Sequence, residues 1–93
     1  MNINDTFLDQ EVGIYKALAH PVRLKMVQLL ISQKISVNEF SERLNKRQSN
    51  ISQHLMMLKK VGLVFANKLG KRRVYQLDKR WIPVLKQISE FAK

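Results

Sequence analysis

Apolar residues recur at helical spacing in five stretches of this chain, with one β-rich stretch between the fourth and the fifth. Phe7, Leu8, Ile14, Tyr15 and Leu18 predict a first helix on an otherwise polar segment, while the polar residues 1–6 are expected to fray. Pro21 suits the start of a second helix, where its missing N–H costs nothing. That helix is predicted to run to about Ser32 with Val22, Met26, Val27, Leu30 and Ile31 on its apolar face. Ser36-Val37-Asn38-Glu39 reads as a capping box, in which serine and glutamate each satisfy an orphan backbone donor. A short third helix carrying Phe40 and Leu44 follows, then a tight polar connection, Asn45-Lys46-Arg47.

The fourth helix is predicted over residues 48–61, with Ile51, Leu55 and Leu58 toward the core and Gly62 as its stop. Its opposite face presents Ser49, Gln53, Met56 and Lys60, with Ser52 at the edge. Residues 63–68 and 72–77 form β-rich runs around Leu69-Gly70-Lys71, a hairpin signal. The last segment, from about Arg80 to Lys93, is again helical, with Pro83 in its first turn and a stripe of Trp81, Leu85, Ile88 and Phe91. The predicted order is α-α-α-α-β-β-α, mainly α with a small β-hairpin, as a single domain over residues 1–93. Two short helices joined by a three-residue turn and followed by a hairpin make a helix-turn-helix with a wing.

Charge sharpens this picture. The chain is formally +10, and Arg43 to Leu77 holds nine lysines and arginines with no aspartate or glutamate. The rest is nearly neutral, so the charge marks where a polyanion would bind. A recognition helix needs short hydrogen-bonding side chains near its N-terminus, where it enters the major groove. Gln48, Ser49, Asn50, Ser52 and Gln53 are of that kind, since amides pair with adenine and serines with several base edges. Alone they would read as a solvated helix face; the acid-free context and the adjacent hairpin favour DNA contact. Lys60, Lys68, Lys71, Arg72 and Arg73 complete the candidate interface. Successive strand residues point to opposite faces, so one of Arg72 and Arg73 is expected to face the duplex.

Several classes fall away. There is no cysteine, which excludes disulfides, thiolate metal sites and thiol redox sensing. No apolar run reaches a membrane span and no signal peptide opens the chain, so the cytoplasm is the expected compartment and no membrane partner is expected. Neither a catalytic set nor a glycine-rich phosphate loop is present, so no enzyme activity and no cofactor are expected. His20 reads as a helix-start residue before Pro21, and His54 as packed and hydrogen-bonded; their spacing suits no metal. Met56 and Met57 need no role beyond packing and surface. A chain of this size has a marginal core, and oligomerisation is one remedy.

Ala19-His20-Pro21-Val22-Arg23-Leu24, Ser49-Asn50-Ile51-Ser52-Gln53-His54-Leu55 and Leu58-Lys59-Lys60-Val61-Gly62-Leu63-Val64 occur in order, and on them the chain resembles the ArsR-like family of winged-helix repressors over about residues 12–90. The resemblance implies a homodimer built from the first and last helices, which fits the apolar residues Phe7, Leu8, Ile14, Tyr15, Trp81, Leu85, Ile88 and Phe91 at the two ends. It further implies binding of double-stranded DNA at a palindromic operator and repression relieved by an inducer; for this chain a small organic molecule, a partner protein and no inducer beyond its own concentration are all open. The family's sensing chemistry does not carry over. Ser36 to Phe40 stands where metal sensors carry cysteines, Asp78 has no histidine after His54 to join it, and cysteine pairs are lacking. Arg47 replaces the family's usual serine before the recognition-helix glutamine, which weakens the cap and adds a phosphate contact. The expectation is a regulator that responds to neither metal nor thiol chemistry; a sequence-nonspecific architectural DNA-binding protein is the alternative, and a module docking an acidic protein is a third reading.

Overall fold

The computed structural model describes the backbone of residues 3–91 and the side chains of residues 8–87. Its elements are α1 (Ile3–Leu18), α2 (Pro21–Leu30), β1 (Ile35–Ser36), α3 (Val37–Leu44), α4 (Gln48–Lys60), β2 (Val64–Leu69), β3 (Arg72–Leu77), a 3₁₀ turn (Lys79–Trp81) and α5 (Ile82–Phe91). The helix-turn-helix and the hairpin lie where the hydrophobic pattern put them. A mainly helical fold with a small antiparallel sheet is the outcome.

Three details differ from the sequence reading. First, α1 begins at Ile3, inside the segment expected to fray; residues 3–6 hold no glycine or proline, and polarity alone does not end a helix. Second, Ile35 and Ser36 form a two-residue strand paired antiparallel with Tyr75 and Val74, giving the sheet order β1-β3-β2. Two residues are too short to show an alternation, so periodicity cannot reveal such a strand. Third, Trp81 closes the 3₁₀ turn ahead of α5 and packs against the core, with its indole N–H buried and without an acceptor among the described residues.

Each start and stop has a local cause. His20 caps α2, its Nδ1 accepting from the Val22 N–H at 3.2 Å. The capping box of α3 is complete: Ser36 Oγ accepts from the Glu39 N–H and Glu39 Oε1 from the Ser36 N–H, both at 3.2 Å. Gly62, at φ +81°, lets the chain leave α4 for the sheet. At the hairpin the positive φ falls on Gly70 (+65°), the first central position, as a type II′ turn requires.

The core gathers Ile14, Met26, Phe40, Ile51, Leu55, Leu58 and Leu63, all essentially inaccessible, with Leu77 from the sheet and Leu85 from α5. This divides the residues expected at a dimer contact. Ile14 and Leu85 are committed to the protomer's own core, at 2% and 3% exposure, and have almost no surface left to give a partner. Leu8 and Tyr15 are exposed and, with Val12, form a second apolar stripe on α1. At 100° per residue that stripe lies ~130° from Ile14, Ala17 and Leu18. The sequence pattern merged two faces of one helix. Phe7, Ile88 and Phe91 lie outside the residues whose side chains are described.

Candidate nucleic-acid interface

The turn between α3 and α4 is fixed by its own backbone. Asn45 takes the left-handed conformation (φ 52°), which asparagine tolerates better than most residues. Ser41 then holds the turn from both sides: its carbonyl accepts from the Lys46 N–H at 3.1 Å, and its hydroxyl donates to the Lys46 carbonyl at 2.5 Å. Arg47 occupies the N-cap of α4 without a side-chain cap bond. The first-turn N–H groups of α4 are therefore left for solvent or for a ligand.

Ile51, Leu55 and Leu58 face inward, so the pitch of α4 turns Ser49, Ser52, Gln53 and Met56 outward, all exposed. Arg47, Gln48 and Asn50 are exposed at the start of the helix. The Gln48 amide donates to Asn38 Oδ1 at the start of α3, so it braces the two helices against each other. Met56, at 67% exposure, is the most open large apolar side chain described, and it sits in the middle of the polar outward face.

The sheet register places the wing. Lys68 is directly opposite Arg73, and Leu69 opposite Arg72, with Lys71 in the turn. Arg73 shares its strand face with Tyr75 and Leu77, the face that packs on the core. Arg73 and Tyr75 join Ser52, Leu55, Met56 and Lys59 around an open groove of about 270 Å³. One groove thus unites the outward face of α4 with the wing. Lys59, Met56 and Tyr75 are additions to the residues expected from sequence; only the sheet register, set by β1 and the turn, brings Tyr75 beside α4. Arg72 points to the other strand face and pairs with Glu39 of α3. Lys60 is set apart from the others, lining a cleft with Asp9, Gln10 and Gly13 of α1 at the far end of α4.

The other flank of α4 carries His54, whose ring lies 4.7 Å from that of His20, centroid to centroid, and tilted by 56°. Packing is as expected for His54, but its contact is this ring rather than a hydrogen bond among the described residues. Desolvation, followed by the nearness of His20, Arg23 and Lys46, holds its pKa below the usual histidine value. The neutral form is favoured in the folded state. Its contribution to stability is full above the unfolded value of about 6.5 and is lost as pH falls through the lower folded value. The melting temperature of the wild type is expected to drop more steeply on acidification below about pH 6.5 than that of His54→Gln. Parallel pH profiles would show that this ring is not the titrating group.

Among the described residues no three histidine, aspartate or glutamate side chains cluster as metal ligands, and no helix is long and apolar enough to cross a membrane. The family profile for the bacterial regulatory protein, arsR family, matches residues 20–65, from the cap of α2 into the wing. An uncharacterized HTH-type transcriptional regulator of Methanocaldococcus jannaschii is 37% identical over 84 residues, covering 88% of this chain and 94% of that protein. The transcriptional activator HlyU of Vibrio cholerae is 39% identical over 67 residues, or 72% of this chain and 62% of HlyU. The chain spans between 56% and 62% of the length of several curated relatives. Among solved structures, the homodimeric winged helix-turn-helix DNA-binding domain from Mycobacterium bovis, a possible ArsR-family regulator, superposes with a TM-score of 0.89. It is 26% identical, and the match covers 99% of this chain and 86% of that one. These relatives are named as regulators of transcription or as a possible one, and the chain belongs to the arsR family of bacterial regulatory proteins.

Proposed function

We propose that this chain is a sequence-reading, double-stranded-DNA-binding transcriptional regulator that acts in the cytoplasm as a homodimeric repressor on a palindromic operator. The observation that carries the reading is the groove shared by α4 and the wing. It sets Ser52, a hydrogen-bonding side chain for base edges, beside cations for phosphates (Lys59, Arg73), and Ser49 and Gln53 continue the same exposed face of α4. Met56 supplies an apolar contact suited to a thymine methyl. The wing also holds Lys68 directly across from Arg73. Like charges directly opposite on two strands destabilise a hairpin, and a bound phosphate backbone offsets that repulsion.

Dimerisation is supported by the exposed stripe of Leu8, Val12 and Tyr15 on α1, with Val84 exposed on α5. The M. bovis neighbour is described as homodimeric. Repression is the sign the family resemblance implies; the V. cholerae relative is named an activator, so one scaffold serves both signs. With no cysteine in the chain, thiolate metal sensing and thiol redox sensing have no ligand or reactant. The regulator is therefore proposed to work without either.

The wing's part is tested by salt. Lysine at the turn neutralises a phosphate without reading a base, so Lys71→Ala is expected to weaken all duplexes alike. The slope of log K against log salt should flatten by about 0.9 per bound protomer. An unchanged slope in a fluorescence-anisotropy titration would take Lys71, and the wing turn with it, off the DNA.

A further inference from the structure

The stretch from Arg43 to Leu77 is free of acids in sequence, yet the fold brings one carboxylate into it. Glu39 of α3 meets the Arg72 guanidinium at the end of the wing, 33 residues away along the chain. The same carboxylate is already the N3 member of the capping box, accepting from the Ser36 N–H. Its backbone anchor fixes where it stands, so Arg72 comes to it. Arg72 and Arg73 both border a shallow pocket beside Ser36, Val37 and Asn38, but Arg72 pairs with a carboxylate, whereas Arg73 also lines the groove with Ser52, Lys59 and Tyr75.

We propose that Glu39 is a positioning residue that masks Arg72, so that Arg73 and Lys71, and not Arg72, carry the wing's charge onto the DNA backbone. The inference rests on the DNA-binding reading and assigns the wing cations within it. Two further observations support it. The Glu39 carboxyl is held below the usual carboxylate range, first by its hydrogen bonds with Ser36 and then by the charges of Arg72 and Arg43, so it stays ionised at neutral pH. The pair is partly open, with 60% of the Arg72 side chain and 35% of the Glu39 side chain accessible, so a released guanidinium has solvent and phosphate within reach. Arg43, four residues on in the same helix, is the other cation near this carboxylate.

Glutamine serves at the N3 position of a capping box as glutamate does, so Glu39→Gln removes the charge and keeps the helix start. Binding of a random-sequence duplex to the full chain, followed across a salt series, provides the test. Glu39→Gln is expected to bind more tightly than wild type at low salt, with a slope steeper by about 0.9 per bound protomer, the signature of one more phosphate neutralised by each. Its advantage should shrink about three- to fourfold per bound protomer between roughly 50 and 200 mM salt. Adding Arg72→Gln should return the slope to that of the wild type, which a general disturbance of α3 would not do. An unchanged or weaker affinity for Glu39→Gln overturns the masking, as does a steep slope that survives in the double variant, which would assign the freed charge to Arg43. A wild type that binds no duplex at any salt overturns the DNA-binding reading itself, and the masking falls with it.

Discussion

Phe40→Ala is expected to lower the melting temperature by roughly 15–30 °C and to remove DNA binding near that new midpoint. Phe40 is fully buried, and it is the one buried residue of α3. It belongs to the same core cluster as Ile51, Leu55 and Leu58 of α4. The substitution removes a large apolar side chain and leaves a cavity, at a cost of about 3–5 kcal/mol. A chain of this length holds about 5–14 kcal/mol in total, so the loss is a large fraction of what there is. The effect also has a direction: α3 is the support on which α4 rests, through Phe40 inside and the Gln48–Asn38 bond outside. Thermal unfolding followed by circular dichroism at one fixed protein concentration is the measurement, since an oligomer's midpoint shifts with concentration. A fall under about 5 °C would mean that α3 is not held by this contact.

What could be read from sequence and what could not divide along physical lines. The capping box, Pro21, Gly62 and the glycine of the hairpin are local signals, because each satisfies a backbone need within a few residues, and all four mark element ends in the structure. The outward face of α4 was legible because helical pitch converts Ile51, Leu55 and Leu58 into an inward stripe and leaves Ser49, Gln53 and Met56 opposite. Long-range pairings were not legible. Strand β1 exists only because β3 comes to it, and Glu39 meets Arg72 only through the register that this pairing sets. Tyr75 enters the groove for the same reason. The two faces of α1 were merged because spacing alone does not say which apolar stripe meets the protomer's own core.

The second large effect concerns what α4 reads. Gln53 is exposed on the outward face between Ser49 and Met56 and has no intramolecular hydrogen-bond partner among the described residues, so its amide is free to meet a base edge. An amide paired bidentately with adenine gives about 1–3 kcal/mol of discrimination. Gln53→Ala is therefore expected to lose roughly five- to 150-fold in affinity per half-site of the best operator while binding to arbitrary duplex stays nearly constant, so that specificity collapses at one position of each half-site. This differs in kind from Lys71→Ala, which lowers both together. Equal losses on specific and arbitrary duplexes would show that Gln53 touches the backbone and reads nothing.

This chain is proposed to read DNA sequence, as a dimer, with α4. Selection of bound duplexes from a random library at near-physiological salt, followed by sequencing, tests it most directly. An inverted repeat with half-sites about one helical turn apart is the predicted result. Enrichment of no motif, with binding that disappears as salt rises, would contradict it and leave a protein that coats DNA without reading it.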